Sequence, residues 1–145
     1  MKLTEHRLQE LSKIEVRYFT GPSSEKPYLE ILVIKYIGVY GFGSGGNADA
    51  RYMRAMVRAG IDAFEPWGVV HDLSELSYEW GDMLDQVFIG PDVEHSVMAV
   101  VVGPNCEEAV RTLCLGERST EPLEKIGWVF RDLETAWTYV DSQIA

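Results

Sequence analysis

Residues 96–102 read SVMAVVV, and every residue after the serine is apolar. A strand that is apolar at each position is typical of the centre of a parallel sheet, where helices cover both faces. Parallel neighbours need crossover connections that are usually helices, so this segment predicts helices before and after it in the chain. The fold class indicated is therefore α/β.

The patterns on either side of this segment agree with that class. Alternating and β-branched segments predict strands, and apolar residues at three- and four-residue spacing predict helices. We expect a single α/β domain over residues 1–145, with a mixed, mostly parallel sheet of about five strands, an antiparallel N-terminal strand and about four helices. The predicted strands are Ile14–Phe19, Tyr28–Val39, Trp67–Leu73, Ser96–Val102 and Gly127–Phe130; the predicted helices are Asn47–Phe64, Glu79–Phe88, one starting at Asn105 and one capped by Asp132, with a further short helix over Leu3–Leu11.

Helix packing can also be predicted from these patterns. In the first long helix the apolar stripe is assigned to Tyr52, Ala55, Met56, Ala59 and Ala63. Arg51, Arg54 and Arg58 then lie on the opposite face, either as a solvated surface or as a basic rim for an anion or an acidic partner. Asn105 and Glu108 have the spacing of a capping box. The four tryptophans, Trp67, Trp80, Trp128 and Trp137, are assigned to the core.

Composition restricts the classes of partner. The 145 residues carry 13 Lys and Arg against 23 Asp and Glu, a net charge of −10. Such a balance argues against nucleic acid, which requires a basic face, and against a polybasic contact with a membrane. No segment reaches the roughly 20 apolar residues that a membrane-spanning helix needs. Cys106 and Cys114, about 12 Å apart if helical, are too distant for a disulfide, so we expect buried free thiols and a cytoplasmic location.

The negative charge is concentrated in one part of the chain, since no Lys or Arg occurs between Arg58 and Arg111. This stretch is either an ordinary solvated surface or an acidic docking face for a basic protein. Its acidic residues are Asp62, Glu65, Asp72, Glu75, Glu79, Asp82, Asp85, Asp92, Glu94, Glu107 and Glu108.

A glycine-rich segment separates the second predicted strand from the first long helix. It reads GFGSGG over residues 41–46, so that Gly41, Gly43 and Gly46 match the pattern G-x-G-x-x-G. The segment is either a flexible connector, a loop that contacts a partner, or a phosphate cradle. In the last case Gly41, Gly43, Ser44, Gly45 and Gly46 would bind a nucleotide or phosphometabolite, with Arg51 and Arg54 as anion contacts. Asp49 in the first turn of the helix and the absence of a Gly-Lys-Ser/Thr motif weigh against the cradle.

Catalytic and metal sites are not indicated. His71 and Asp72 are adjacent in a predicted strand, so their side chains point to opposite faces and cannot form the base–acid pair of a triad. Three histidines and two cysteines show no metal-ligand spacing. We therefore expect no metal, no cofactor and no enzymatic activity.

The segment DLSELSY, residues 72–78, resembles the strand-to-helix region of STAS domains, the family of bacterial anti-sigma-factor antagonists and transporter tails. The order of elements over about residues 28–144 is also similar to that family. This includes the strand ending at Val102-Gly103 and the last helix with Leu133, Glu134 and Ala136. The resemblance implies a STAS-like fold and a non-enzymatic, cytoplasmic role in protein–protein regulation.

Phosphorylation is the point at which the sequence departs from that family. Members that act as partner switches carry a phosphorylatable Ser or Thr at the start of the second helix, and Asp82 occupies that position here. The resemblance therefore implies that a serine/threonine kinase of this class does not modify residue 82. Ser74 and Ser77 are the remaining candidate hydroxyls.

The sequence thus favours a regulatory module whose partner-binding residues are Ser74, Ser77, Glu79, Asp82 and Asp85. The partner implied is a protein, of kinase-like or anti-sigma type, and a second copy of the chain is left open. The alternative is a small protein that binds a nucleotide or phosphometabolite through residues 41–46.

Overall fold

The structure, a computed structural model, describes residues 1–88 and 97–144. These residues form a five-stranded sheet in the spatial order β1-β2-β3-β4-β5. Strand β1 is antiparallel to β2, and the remaining neighbours are parallel. The strands are β1 (Glu15–Pro22), β2 (Glu30–Val39), β3 (Gly68–Ser77), β4 (Val97–Val102) and β5 (Val129–Phe130).

Helices occupy the connections between the parallel strands, and the predicted fold class is confirmed. The helices among the described residues are α1 (Asn47–Phe64), α2 (Asp85–Phe88), α3 (Glu107–Leu115) and α4 (Leu133–Ser142). Single 3₁₀ turns are found at Leu8–Leu11, Gly43–Gly46, Asp82–Leu84 and Leu123–Ile126.

The two faces of the sheet have separate cores. Leu32 and Ile34 of β2 face the larger core, which α1, α2 and α3 cover, whereas the alternate residues Ile31 and Val33 face a smaller one. Within the described residues only α4 packs on this second face, through Ala136, Val140 and the following Ile144. One face of β1 and β2 is therefore left partly open.

The predicted bounds of α1 are confirmed, but its predicted buried stripe is only partly correct: Tyr52 is buried and Met56 is half-buried. Ala55, Ala59 and Ala63 are exposed, because alanine adds little apolar area and fits either face of a helix. The orientation is set by larger side chains and by Gly60, where a Cβ would lie 2.6 Å from the ring of Tyr18. The residues buried in α1 are Ala50, Tyr52, Met53, Val57 and Gly60. Among the arginines assigned to the opposite face, Arg51 and Arg58 are exposed and Arg54 is half-buried.

Three of the predicted elements differ clearly in length from the observed ones. Strand β3 continues to Ser77 rather than ending before Ser74, since its upper part pairs with β2 as far as Val39. The helix predicted over Glu79–Phe88 is only a 3₁₀ turn followed by α2, because Gly81 has φ of +152° and cannot be helical. The predicted helix at Leu3–Leu11 is likewise limited to the turn at Leu8–Leu11.

The two predicted helix caps differ in outcome. Asp132 accepts a hydrogen bond from the backbone N of Thr135 at 2.7 Å, so the cap of α4 is confirmed. The capping box at Asn105 is wrong, because α3 begins at Glu107 and Glu108 instead pairs with Arg111 at 2.6 Å.

The predicted burial of the tryptophan and cysteine side chains is only partly correct. Trp67, Trp128 and Trp137 are half-buried and pack against the two cores, as predicted, whereas Trp80 is 46% exposed. Both cysteines are free, as predicted, but only Cys106 is buried, and Cys114 is exposed on the outer side of α3. The Sγ atom of Cys106 lies 3.4 Å from the carbonyl oxygen of Leu73, and burial raises the pKa of this thiol.

A polar pair lies inside the larger core. The hydroxyl of Tyr36 and Nδ1 of His71 share a hydrogen bond of 2.9 Å, and both side chains are fully buried. The other ring nitrogen of His71, Nε2, has no hydrogen-bond partner among the described residues. Burial lowers the pKa of His71 from 6.5 to about 3, because a charged imidazolium is not solvated there. His71 is therefore neutral near pH 7.

We predict that His71 makes the stability of the fold depend on pH. Below pH 6.5 the unfolded chain takes up a proton at this residue that the folded chain accepts only near pH 3. The unfolding free energy attributable to His71 is therefore complete above pH 6.5 and falls by about 1.4 kcal/mol per pH unit below it. Urea unfolding between pH 7 and pH 5 should show a smaller decrease for His71→Gln than for the wild type. The exposed His6, as His6→Gln, is the control and should retain the wild-type slope; equal slopes for all three proteins would contradict the prediction.

Candidate partner-binding site at the carboxyl edge of the sheet

Three loops meet where the parallel strands end. Residues 40–46 follow β2, residues 78–81 follow β3 and residues 103–106 follow β4. Because these strands are parallel, their loops lie together at one edge, termed here the carboxyl edge. Open α/β sheets commonly bind ligands at such an edge.

The glycine-rich segment is held against the loop that follows β3. Gly43 has φ of +58°, and its N–H donates a 3.0 Å hydrogen bond to the carbonyl of Trp80. A Cβ at Gly43 would lie 2.5 Å from Cζ3 of the Trp80 ring. This position therefore requires glycine for its backbone conformation and for its close approach to the tryptophan.

Several backbone N–H groups of the same segment already donate hydrogen bonds to acceptors within the chain. Gly41 N–H donates to Asp49 Oδ2 at 2.9 Å, and Gly45 N–H donates to the carbonyl of Phe42 at 3.1 Å. Asp49 also accepts from the hydroxyl of Ser12 at 2.6 Å, so a carboxylate of the chain itself occupies part of the space an external anion would need. Arg51, which the nucleotide alternative requires, lines a separate groove beside the 3₁₀ turn at Leu8–Leu11. These contacts weigh against the phosphate cradle and indicate that the backbone of the segment has a structural role.

Two aromatic side chains project from this region. Phe42 is 70% exposed and Trp80 is 46% exposed, and their ring centroids are 5.6 Å apart. Beneath them the buried Tyr78 packs edge-on against Tyr40, with centroids 5.1 Å apart, and its hydroxyl donates to the carbonyl of Gly81. We call the exposed pair Phe42 and Trp80 the aromatic platform.

A cavity of about 430 Å³ adjoins the platform, between residues 78–81 and α3. We call it the edge cavity. Trp80 is among its lining residues, and the described lining includes three glutamates but no Lys or Arg. One of these glutamates, Glu108, is paired with Arg111 of the same helix. That pairing lowers the pKa of Glu108. The polar and charged lining residues are Glu79, Asn105, Glu108, Thr112 and Glu117.

The residues expected to bind a partner are only partly brought together. Glu79 lines the edge cavity, and Asp85 is exposed at the start of α2. Ser74 and Ser77 are half-buried within β3, where Ser74 N–H donates to Asp72 Oδ1 at 2.9 Å. The side chain of Asp82 lies outside the described part of the structure.

The acidic stretch does not form one patch. Asp62 and Glu65 lie at the far end of α1, next to Trp67, whose N–H donates to the carbonyl of Glu30 at the start of β2. Glu79 lies at the opposite, carboxyl edge. Asp92 and Glu94 fall outside the described residues.

Sequence reasoning missed the aromatic platform and the contribution of α3. Trp80 was assigned to the core by residue type, although Gly81 directly after it indicates a turn. Phe42 lies between two glycines, where no helical or strand periodicity assigns it a core position, and this was an available signal. No comparable signal connects Thr112 and Glu117 with the loop after β3, since that contact depends on tertiary packing.

The described residues contain neither a metal-binding cluster nor a membrane-spanning helix. Throughout 1–88 and 97–144 no group of three His, Cys, Asp or Glu side chains is placed to hold a metal ion. Among the helices of these residues, none has the length and apolar character to cross a membrane.

Comparisons with known proteins identify a similar fold. No family model matches the sequence, and no curated protein matches it significantly. A solved structure, the crystal structure of an anti-sigma factor antagonist from Mycobacterium paratuberculosis, matches with a TM-score of 0.57 and 17% identity. The match covers 88% of this chain and 93% of that one. This chain has a STAS-like fold. The resemblance drawn from residues 72–78 is thereby confirmed for the fold.

We predict that the contact between Gly43 and Trp80 is required for the arrangement of the platform. Gly43→Ala should destabilise the protein by about 1–3 kcal/mol, because alanine is strained at positive φ and its methyl group would overlap the Trp80 ring. Gly45→Ala is the matched control, since a Cβ there meets nothing within 4 Å. Urea unfolding and the indole N–H resonance of Trp80 report the two effects. A Gly43→Ala protein with unchanged stability and an unshifted Trp80 resonance would show that the contact is unimportant.

Proposed function

We propose that this chain is a non-enzymatic regulatory module that binds a protein partner through the aromatic platform and the edge cavity. The observation that carries the proposal is the exposed Phe42–Trp80 pair beside an acidic cavity. Large aromatic side chains are usually buried, and exposed ones that are held in place are common at the centres of protein interfaces.

The platform is suited to binding because its parts are already positioned. The backbone hydrogen bond from Gly43 to Trp80 and the packing of Tyr78 against Tyr40 fix the base of the Trp80 loop. A partner therefore loses little free energy in ordering this surface on binding.

The charge around the platform indicates the chemistry of the partner. Glu79, Glu108 and Glu117 line the edge cavity, and Arg111 offsets only one of them. A basic segment of a partner would place a Lys or Arg side chain in this cavity, against the ring of Trp80 and near the carboxylates. We infer that the partner presents a basic segment with an apolar residue for Phe42.

The similar solved structure supports a regulatory role of this kind, since its title names it an anti-sigma factor antagonist. We propose that the partner here is a kinase-like or anti-sigma-type regulator in the cytoplasm. Control by phosphorylation is not part of the proposal. Residue 82 is an aspartate, and Ser74 and Ser77 are half-buried in β3, where a kinase would reach them only after local opening of the strand.

Catalysis is not proposed, because the histidine of the β3 strand is not available for it. His71 is fully buried, and its Nδ1 already shares a hydrogen bond with Tyr36. Its neighbour Asp72 lines a cavity on the other face of the sheet.

We predict that Trp80→Ala weakens binding to the native partner by at least about 30-fold while the fold is retained. Loss of a central aromatic contact typically costs about 2 kcal/mol or more, a decrease in affinity of about 30-fold. The wild type is used as bait, a specifically captured protein is purified, and its affinity is measured for each variant. Glu79→Lys should also weaken binding, and the wild-type affinity should decrease with added salt.

Tyr28→Ala is the matched control, because Tyr28 is 79% exposed but lies in the β1–β2 connection at the opposite edge of the sheet. It should bind as the wild type does. Equal affinity of wild type and Trp80→Ala for the purified partner, or loss of binding by Tyr28→Ala alone, would contradict the proposal.

A further inference from the structure

A second cavity lies on the opposite face of the sheet, where α4 leaves β1 and β2 partly open. Its volume is about 330 Å³, within the range of small-molecule sites. Four apolar side chains form its walls, and two charged ones, Lys35 and Asp72, lie among them. The apolar residues are Phe19, Val33, Leu133 and Trp137.

The carboxylate in this cavity, that of Asp72, has no paired cation among the described residues. Asp72 is only 6% exposed, and it pairs with no cation within salt-bridge distance over the described ranges. Its Oδ1 accepts one hydrogen bond, from the backbone N–H of Ser74. Lys35, its cross-strand neighbour, is bonded instead to Glu75, which does not line the cavity. Two carboxylates therefore share one ammonium group.

The apolar walls of the cavity are partly exposed to solvent. Phe19 is 51% exposed and Leu133 is 41% exposed. The ring of Trp137 is fixed on the β1 side by Gly21, where a Cβ would lie 2.9 Å from the indole. Two aromatic rings beside a buried carboxylate are a suitable environment for an organic cation, which gains both a charge-assisted hydrogen bond and contact with ring faces.

We propose that this cavity binds a small free amine with an aromatic or apolar body, whose ammonium group donates to Asp72 and whose body packs against Trp137 and Phe19. An anion of the same shape would face an unpaired buried carboxylate and is disfavoured. The site lies on the face of the sheet opposite α1, α2 and α3, so this inference is independent of the proposed function.

The probe is tryptamine, with indole-3-propionate as its anionic counterpart of similar size. Binding is followed in the 145-residue chain by NMR shifts of the tryptophan indole N–H resonances, each assigned with a Trp→Phe variant. We expect tryptamine to shift the Trp137 resonance saturably, and indole-3-propionate to bind at least about tenfold more weakly.

Two substitutions should have opposite effects. Asp72→Asn keeps the oxygen that accepts from Ser74 but removes the charge, so it should weaken tryptamine binding by at least about tenfold. Lys35→Met keeps the unbranched side chain but removes the competing ammonium, so it should tighten binding by a few-fold. Thermal unfolding of both variants shows whether the fold is retained.

Results of three kinds would overturn the proposal. One is equal affinity for tryptamine and indole-3-propionate, or no saturable shift with either. Another is a shift confined to Trp80, which would place the amine in the edge cavity instead. The third is tighter binding of indole-3-propionate to Lys35→Met, or an unchanged affinity of both variants for tryptamine.

Discussion

The covering of the sheet by helices is the constraint on which the rest of the structure depends. In the described residues the central strands are buried on both faces, but α1, α2 and α3 cover one face while α4 alone covers the other. On the first face, α3 approaches the loop after β3 and bounds the edge cavity. On the second, a single helix cannot cover five strands, so β1 and β2 retain an open area beside Trp137. Both cavities are thus consequences of how the helices are divided between the two faces.

Glycine has a different role at the carboxyl edge from the one its pattern suggests. The positions that match G-x-G-x-x-G are needed because backbone and rings approach closely: Gly43 contacts Trp80, and a Cβ at Gly46 would lie 2.2 Å from the Tyr40 ring. Backbone N–H groups that would bind a phosphate in other proteins here donate to Asp49, Phe42 and Trp80. A turn that could have bound an anion instead fixes an aromatic surface. This is the physical reason for preferring a protein partner over a nucleotide.

The sequence was sufficient for the class of fold, the order of strands and helices along the chain and the bounds of α1, since these follow from periodicity and from turn residues over long segments. It was not sufficient where a local sequence pattern is compatible with more than one packing arrangement. Alanines made the wrong face of α1 look apolar, whereas Met53 and Val57 determine the buried side. Trp80 is assigned to the core because no local pattern predicts that its ring lies against Gly43, a residue distant in sequence. The charge shortage at Asp72 depends on the register of β2 and β3, which shifts between Lys35 and Ile37 and which no local pattern specifies.

The central claim is that the platform is formed before any partner binds. The most direct test is a nuclear Overhauser measurement on the free 145-residue chain, combined with relaxation of the Trp80 indole N–H. We predict strong contacts between the Trp80 ring and the α-protons of Gly43, contacts from Trp80 to the Phe42 ring, and an indole as rigid as the backbone of β3. Absence of these contacts, with an indole that reorients freely on the nanosecond timescale, would contradict the account, because the surface would then form only on binding.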